Sequence, residues 1–193
     1  MSSFSIYLGL GFNHIANWGA LDHILFMAAL ALRYQFADWK KLFVLVTAFT
    51  LGHCITLSLA VFNVINLPKN WIEFLIAVTI LVTAISNLFV KKQQNKSKFP
   101  PIYFFALFFG LIHGLGFATE FVALEGTGFS AVLNLLYANI GIELAQLLVV
   151  FIVLIIIFIC LNILKQNKRE FILFASGAIF GIALEMALTR LPF

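Results

Sequence analysis

Residues 11–27 of this 193-residue chain have the sequence GFNHIANWGALDHILFM, in which Asp22 and His23 open an otherwise apolar run. A charged side chain in the middle of a lipid-embedded helix costs about 3 kcal/mol or more, and such residues usually pair with one another inside a helix bundle. The rest of the chain should therefore contain the groups that pair with Asp22 and His23.

The composition indicates an all-α integral membrane protein with a single transmembrane domain over residues 1–193. Hydrophobic residues make up 63% of the chain and charged residues only 10%, too few to cover a soluble core of this size. The lysines and arginines form short clusters between apolar runs rather than a nucleic-acid-binding patch. No nucleotide-binding motif is present. The partners we expect are a metal ion and the lipid bilayer, and a homo-oligomer is compatible with the sequence.

Six apolar runs are long enough to cross a membrane, since a spanning helix needs about 20 mainly apolar residues. They predict a compact bundle of six transmembrane helices over residues 15–34, 42–62, 71–90, 103–123, 135–163 and 171–190. The fifth run exceeds the thickness of a bilayer, which predicts a tilted or projecting helix. Residues 126–130 are expected to form a short outer loop.

The basic residues predict the orientation of the bundle. Cytoplasmic loops of membrane proteins collect lysine and arginine, and ten of the twelve basic residues follow the first, third or fifth run: Arg33, Lys40, Lys41, Lys91, Lys92, Lys96, Lys98, Lys165, Lys168 and Arg169. Both termini are therefore expected to be extracytoplasmic, in a multi-pass protein of a bacterial-type inner membrane.

Four ionisable residues fall near one depth in four different runs: His23, His53, His113 and Glu143. The depths follow from a rise of about 1.5 Å per helical residue. A single intramembrane histidine is as often a packing residue as a ligand. Four such groups near the midplane favour a functional site instead, because leaving them unpaired would be so costly.

A divalent transition metal would satisfy this set economically. Neutral imidazoles with one carboxylate suit nickel, cobalt, zinc or copper, whereas magnesium and calcium prefer oxygen ligands. Asp22 points about 100° away from His23 around an ideal helix, so we interpret Asp22 as an orienting or proton-handling partner. His14, nearer the outer face, is a candidate capture ligand.

Other polar residues could support the site or line a pathway: Asn139 and Gln146 beside Glu143, Thr79 and Thr83 on the third run, and Glu73 and Glu185 toward the outer face. The threonine stripe, which Ser86 and Asn87 continue, would offer an exit toward the cytoplasm. The alternatives are hydrogen bonds between helices and solvated helix ends.

Glycine spacing predicts close helix packing at Gly110 and Gly114 and again at Gly177 and Gly181, because small residues four positions apart let backbones approach. Residues 49–53 (FTLGH) and 109–113 (FGLIH) share three of five residues, a weak indication of a parallel duplication.

Four segments together resemble the HupE/UreJ family of hydrogenase and urease accessory membrane proteins: residues 13–26, 49–57, 109–118 and 139–147. Members of that family are regarded as nickel or cobalt permeases. By this resemblance the functional residues are His14, Asp22, His23, His53, His113 and Glu143. One departure is the spacer of seven residues between His14 and Asp22, where the accessory permeases have five.

The sequence therefore predicts a divalent transition-metal permease, with transport more strongly indicated than enzymatic activity. Two other functions stay open. An intramembrane zinc-dependent hydrolase acting on a lipid or peptide could use three histidines and a carboxylate base. A metal sensor or insertion factor would bind the ion without transporting it.

Overall fold

The computed structural model describes residues 2–65, 67–89 and 101–192, without the side chains of Trp18 and Ser130. Over these ranges the structure is helical and contains no strand. The α-helices are α1 (Ser3–Ala16), α2 (Leu21–Ala31), α3 (Trp39–Val61), α4 (Lys69–Phe89), α5 (Ile102–Glu125), α6 (Val132–Phe158) and α7 (Lys168–Thr189). Lys91, Lys92, Lys96 and Lys98 lie outside the described residues.

Five of these helices are long and apolar enough to cross a membrane, which makes the chain a multi-pass membrane protein. They are Phe36–Val61, Lys69–Phe89, Ile102–Glu125, Val132–Ile163 and Lys168–Thr189. Their positions confirm the second to sixth predicted runs, including the unusual length of the fifth. A short loop also joins α5 to α6 at the predicted position, with Gly126 and Gly128 at φ values of 75° and 109° that favour glycine.

The first predicted run differs, because no single helix covers residues 15–34. α1 ends at Ala16, a short 3₁₀ turn follows, and α2 begins at Leu21. Asn17 has extended backbone angles, and its side-chain oxygen accepts a hydrogen bond from the Gly19 N–H at 3.2 Å. An asparagine that bonds its own backbone in this way competes with helix formation. α2 has only 11 residues, about half the length that a bilayer requires.

Side-chain contacts fix the direction of α1 relative to α5. Tyr7 donates a hydrogen bond to Glu125, the last residue of α5, while His14 packs on Phe117, two turns earlier in α5. α1 therefore runs opposite to α5 and in the same direction as α6. We call the end of the bundle with Glu125 the upper end.

α2 continues downward from the break. Asn87, near the end of α4, donates to the carbonyl of Ala29 at 2.7 Å, and Arg33 donates to Ser86 at 2.6 Å and to Asn87. Arg169 at the start of α7 donates to the carbonyls of Asn87 and Leu88. Two arginines thus tie together the lower ends of α2, α4 and α7.

Glycines bring α3 and α5 into backbone contact. A Cβ added at Gly52 would lie 2.1 Å from the carbonyl oxygen of Leu107 and 2.9 Å from the nitrogen of Leu111. A Cβ added at Gly110 would lie 2.1 Å from the carbonyl oxygen of Phe49. Side chains cannot replace these hydrogens without moving a helix.

The pair formed by α6 and α1 repeats the same geometry. A Cβ added at Gly141 would lie 2.1 Å from the carbonyl oxygen of Leu8 and 2.9 Å from the nitrogen of Phe12, and one at Gly11 would lie 1.9 Å from the carbonyl oxygen of Ala138. The spacings match those of the first pair residue for residue. By packing, α1 corresponds to α5 and α6 corresponds to α3.

Corresponding helices run in opposite directions, so the packing favours an inverted duplication rather than the parallel one suggested by residues 49–53 and 109–113. The helices that carry those two segments, α3 and α5, are packing partners. Inverted repeats of this kind are common in transporters, where the binding site lies at the interface of the two halves.

Of the two predicted small-residue motifs, one packs closely against another helix and the other does not. Gly114 is as tightly packed as Gly110, since its added Cβ would lie 2.4 Å from the carbonyl oxygen of His53. Gly177 and Gly181 in α7 have open space within 4 Å of the same position. The prediction of close packing at Gly177 and Gly181 is therefore wrong.

Candidate metal centre

Four helix segments bring the histidines together at mid-height in the bundle. His14 lies in the last turn of α1, His23 in the first turn of α2, His53 in α3 and His113 in α5. His53 and His113 are completely buried and His23 is 3% exposed. The break in the chain at residues 17–20 lets two of these residues enter the site from separate helix ends.

His14, His23 and His53 form the tightest group. One ring nitrogen from each lies within 4.8 Å of the others, a geometry in which a single ion could contact all three. We call these three residues the His triad. The ring centroids are 4.9 Å apart for His14 and His23, and 6.2 Å for His14 and His53.

Most nitrogens of the His triad lack a hydrogen-bond partner. This holds for Nε2 of His14, Nε2 of His23 and both ring nitrogens of His53, whereas Nδ1 of His23 lies 3.5 Å from Asp22. Buried polar groups in native proteins are nearly always paired, so these four nitrogens favour a ligand that takes one lone pair from each imidazole. A metal ion that accepts the imidazole lone pairs fits this donor set.

Asp22 lies beside the His triad and connects it to α7. Its Oδ1 is 3.5 Å from His23 Nδ1, and its Oδ2 is 3.4 Å from a guanidinium nitrogen of Arg190. This position suits the predicted role of Asp22 as a partner of His23. The contact with Arg190 has no signal in the sequence, because 168 residues separate the two.

His113 lies next to the His triad but outside it. Its ring centroid is 5.0 Å from that of His23, and its Nε2 is 3.0 Å from the hydroxyl of Thr79. The Nδ1 of His113 is buried and unpartnered. Thr79, predicted as a supporting residue, therefore lies against a histidine of the cluster.

Aromatic rings bound the cluster on both sides. Phe117 packs on His14 from above, with 4.1 Å between ring centroids. Phe26 and Phe49 lie below, at 5.2 and 5.1 Å from His113, and they stack on each other at 5.0 Å. Both lower rings are completely buried.

Glu143, predicted as a fourth ligand, lies in a separate groove between α3 and α6. Its carboxylate accepts a hydrogen bond of 2.7 Å from Thr47. The groove encloses about 350 Å³ and faces outward, where Leu51 and Ile140 are about half exposed. Glu143 is not among the residues whose ligand atoms meet in the His triad.

The two amides predicted near Glu143 lie between the groove and the histidines. Asn139 lines the groove and also lies against His53. Gln146 is fully buried and its side-chain oxygen accepts a hydrogen bond of 3.0 Å from Thr50. Gln146 therefore helps to join α3 to α6, as the alternative interpretation of the polar stripe predicted for it, whereas the amide of Asn139 donates to the carbonyl of Leu135 in its own helix at 2.8 Å.

The remaining predicted pathway residues lie elsewhere. Glu73 pairs with Lys69 at 3.5 Å in the first turn of α4, and Glu185 is exposed on α7. The hydroxyl of Thr83 donates to the carbonyl of Thr79 at 2.7 Å.

These observations define a helical membrane protein with a buried histidine cluster suited to a transition metal. A family model described as HupE / UreJ protein matches residues 1–190. The chain belongs to the HupE / UreJ protein family, and this membership indicates a metal accessory or permease role. No curated protein and no solved structure matches the chain.

Proposed function

We propose that this protein is a permease for a divalent transition-metal ion, nickel or cobalt in the first place and zinc or copper as alternatives. The observation that supports this most directly is the His triad, one half-buried and two buried histidines that each place a ring nitrogen within 4.8 Å of the others. Neutral imidazoles bind these metals well and bind magnesium and calcium poorly. Family membership supports the same conclusion.

The proposed topology has six crossings in a bacterial-type inner membrane, with both termini extracytoplasmic. α1 and α2 together form the first crossing, interrupted at the depth of the His triad. Discontinuous helices of this kind are typical of transporter binding sites. The basic residues Arg33, Lys41 and Arg169 lie at the lower end of the bundle, which we assign to the cytoplasm.

An ion would approach from the upper end, past Asp22 and Arg190, and bind the His triad. On the lower side, Phe26 and Phe49 lie under the histidines. Below them, Arg33 joins Ser86 and Asn87, the residues that the sequence suggested as an exit. Release toward the cytoplasm therefore requires these contacts to separate.

The test compares His53→Ala with Cys54→Ala in reconstituted vesicles. His53 belongs to the His triad, whereas its neighbour Cys54 lines the groove between α3 and α6. We expect His53→Ala to lower metal affinity about tenfold or more, with a matching loss of uptake, and Cys54→Ala to leave both unchanged. Binding of metal by the wild-type protein without any uptake would favour a sensor or insertion factor instead.

The groove beside Asn139 favours a second candidate, an intramembrane metal-dependent hydrolase. A lipid chain could occupy its 350 Å³, with Glu143 near the reacting group. Against this, Glu143 is not among the residues that meet in the His triad, and it already bonds Thr47. Hydrolysis of a lipid or peptide by the purified metal-loaded protein, abolished by Glu143→Gln, would support the enzyme over the permease.

A further inference from the structure

His23 lies midway between two other histidines. Its ring centroid is 4.9 Å from that of His14 and 5.0 Å from that of His113, with interplanar angles of 70° and 75°. His14 belongs to the His triad and His113 does not. One imidazole is thus placed equally well to share an ion with a neighbour above it or a neighbour below it.

Thr79 prepares His113 to bind a metal. The single hydroxyl hydrogen of Thr79 is donated to the carbonyl of Ile76 at 2.7 Å, so the Thr79 oxygen must accept from His113 Nε2 at 3.0 Å. The ring proton therefore lies on Nε2, and Nδ1 carries a free lone pair. Histidine ligands of metals are usually oriented by such a bond from the other ring nitrogen.

The duplicated packing places His14 and His113 in equivalent positions. His14 follows the tightly packed Gly11 by three residues in α1, and His113 follows Gly110 by three residues in α5. His14 packs on Phe117 and His113 packs on Phe26, so the two histidines lie on opposite sides of His23 along the bundle.

We propose that the cluster contains a second metal position, formed by His23 and Nδ1 of His113, into which the ion moves from the His triad on its way to the lower end. This inference rests on the proposed permease function and adds a step to it. His23 is a ligand in both positions, so the ion passes between them without losing all its protein ligands. The lower position has fewer histidines and holds the ion more weakly.

Only one ion occupies the cluster at a time. Two doubly charged ions that share His23 as a ligand would be close enough to repel each other strongly. The wild-type protein should therefore bind one Co²⁺ per chain. Phe26 and Phe49 are the next groups below the second position and would have to move for the ion to leave.

The experiment measures Co²⁺ binding and Co²⁺ uptake separately in wild type, His14→Ala, His113→Ala and His113→Gln. We expect His14→Ala to weaken binding about tenfold or more and to change the visible spectrum of bound Co²⁺. The two His113 variants should keep the wild-type spectrum and an affinity within about threefold, yet lose about tenfold or more of the uptake rate. His113→Ala leaves a cavity that could prevent folding, so His113→Gln, which keeps a polar side chain of similar size, serves as the control for this effect.

Two variants of Thr79 test whether its hydrogen bond to His113 matters for uptake. Thr79→Val removes the oxygen that accepts from Nε2 and should slow uptake several-fold without altering the Co²⁺ spectrum, while Thr79→Ser should restore the rate. If both His113 variants change affinity and spectrum as much as His14→Ala, then His113 is a ligand of one four-histidine site and the second position does not exist. Normal uptake in these variants would also overturn it.

A binding measurement separates this inference from the permease function. If the wild-type protein binds Co²⁺ but shows no uptake, the permease function fails, and the second position can still be tested at equilibrium. His14→Ala should then retain weak Co²⁺ binding, to which His23 and His113 contribute, and the double variant His14→Ala/His113→Ala, which keeps only His23 and His53, should bind Co²⁺ more weakly still. Equal affinities in the single and double variants would exclude the second position.

Discussion

The pair α1 with α6 and the pair α3 with α5 have the same packing but different continuity. In each pair a glycine lies against a carbonyl oxygen at about 2 Å from its missing Cβ: Gly141 against Leu8 and Gly52 against Leu107. α5 continues past its histidine to Glu125, whereas α1 ends two residues after His14. The packing of the two pairs is therefore the same, and the site lies where the two pairs differ.

The break in α1 brings two side chains to the site that a continuous helix would direct elsewhere. His23 completes the His triad, and Phe26 covers the cluster from below. α5 has no equivalent of either residue, since His113 is followed by glycines and Phe117. The break between α1 and α2 thus makes the metal centre asymmetric, although the two helix pairs pack in the same way.

The largest effect is expected from an alanine at the glycines of either pair. The added methyl group of Gly52→Ala or Gly141→Ala would meet a backbone oxygen at 2.1 Å, which cannot rotate away. Each variant should lose more than about 3 kcal/mol of stability, above the usual cost of overpacking. Thermal unfolding in detergent measures it. Destabilisation of only one variant would show that the two pairs are not equivalent.

Phe26→Ala tests a part of the site that α2 supplies and that has no equivalent on α5. The ring is fully buried between Phe49 and His113, so its removal should cost about 3 kcal/mol of stability. It should also raise passive metal leakage from preloaded vesicles. Phe105→Ala is the matched control, since that ring on α5 is 58% exposed. Equal leakage in both variants would contradict a barrier at Phe26.

Depth in the membrane could be predicted from the sequence, because it depends only on the rise per residue. His23, His53 and His113 lie together as their depths suggested, and five of the six predicted runs are helices. The direction in which a side chain leaves its helix could not be predicted in the same way. Glu143 faces the groove and Thr47, because the crossing of α3 and α6 decides which side of α6 is buried.

Two other features also escaped prediction for physical reasons. The hydropathy of residues 15–34 hides the break, at which the Gly19 N–H donates a hydrogen bond to the side-chain oxygen of Asn17. α1 was missed because its 14 residues are too few to span a bilayer alone. A usable signal was present: the spacing from Gly11 to His14 equals that from Gly110 to His113.

Asn17→Ala tests the hydrogen bond at the break, and its effect on stability should be smaller than those of the glycine and Phe26 variants. Loss of the bond to the Gly19 N–H should cost about 1 kcal/mol, the usual value for such a cap. Because the turn sets where α2 begins, metal affinity should fall several-fold as His23 becomes less well placed. Titration with Co²⁺ measures the affinity, and Asn17→Asp, which keeps the accepting oxygen, should restore it.

The smallest effect is expected in α7, whose glycines Gly177 and Gly181 have no close contacts. Gly177→Ala and Gly181→Ala add methyl groups where nothing lies within 4 Å, so neither should clash. Alanine is also the better helix former by about 1 kcal/mol, so both variants should unfold at the wild-type temperature or slightly above it. Gly110→Ala, whose methyl group would meet the carbonyl oxygen of Phe49, should be strongly destabilised in the same assay. A loss of stability in the α7 variants equal to that of Gly110→Ala would mean that α7 has a close packing partner, and the duplication would then extend beyond the two glycine-packed pairs.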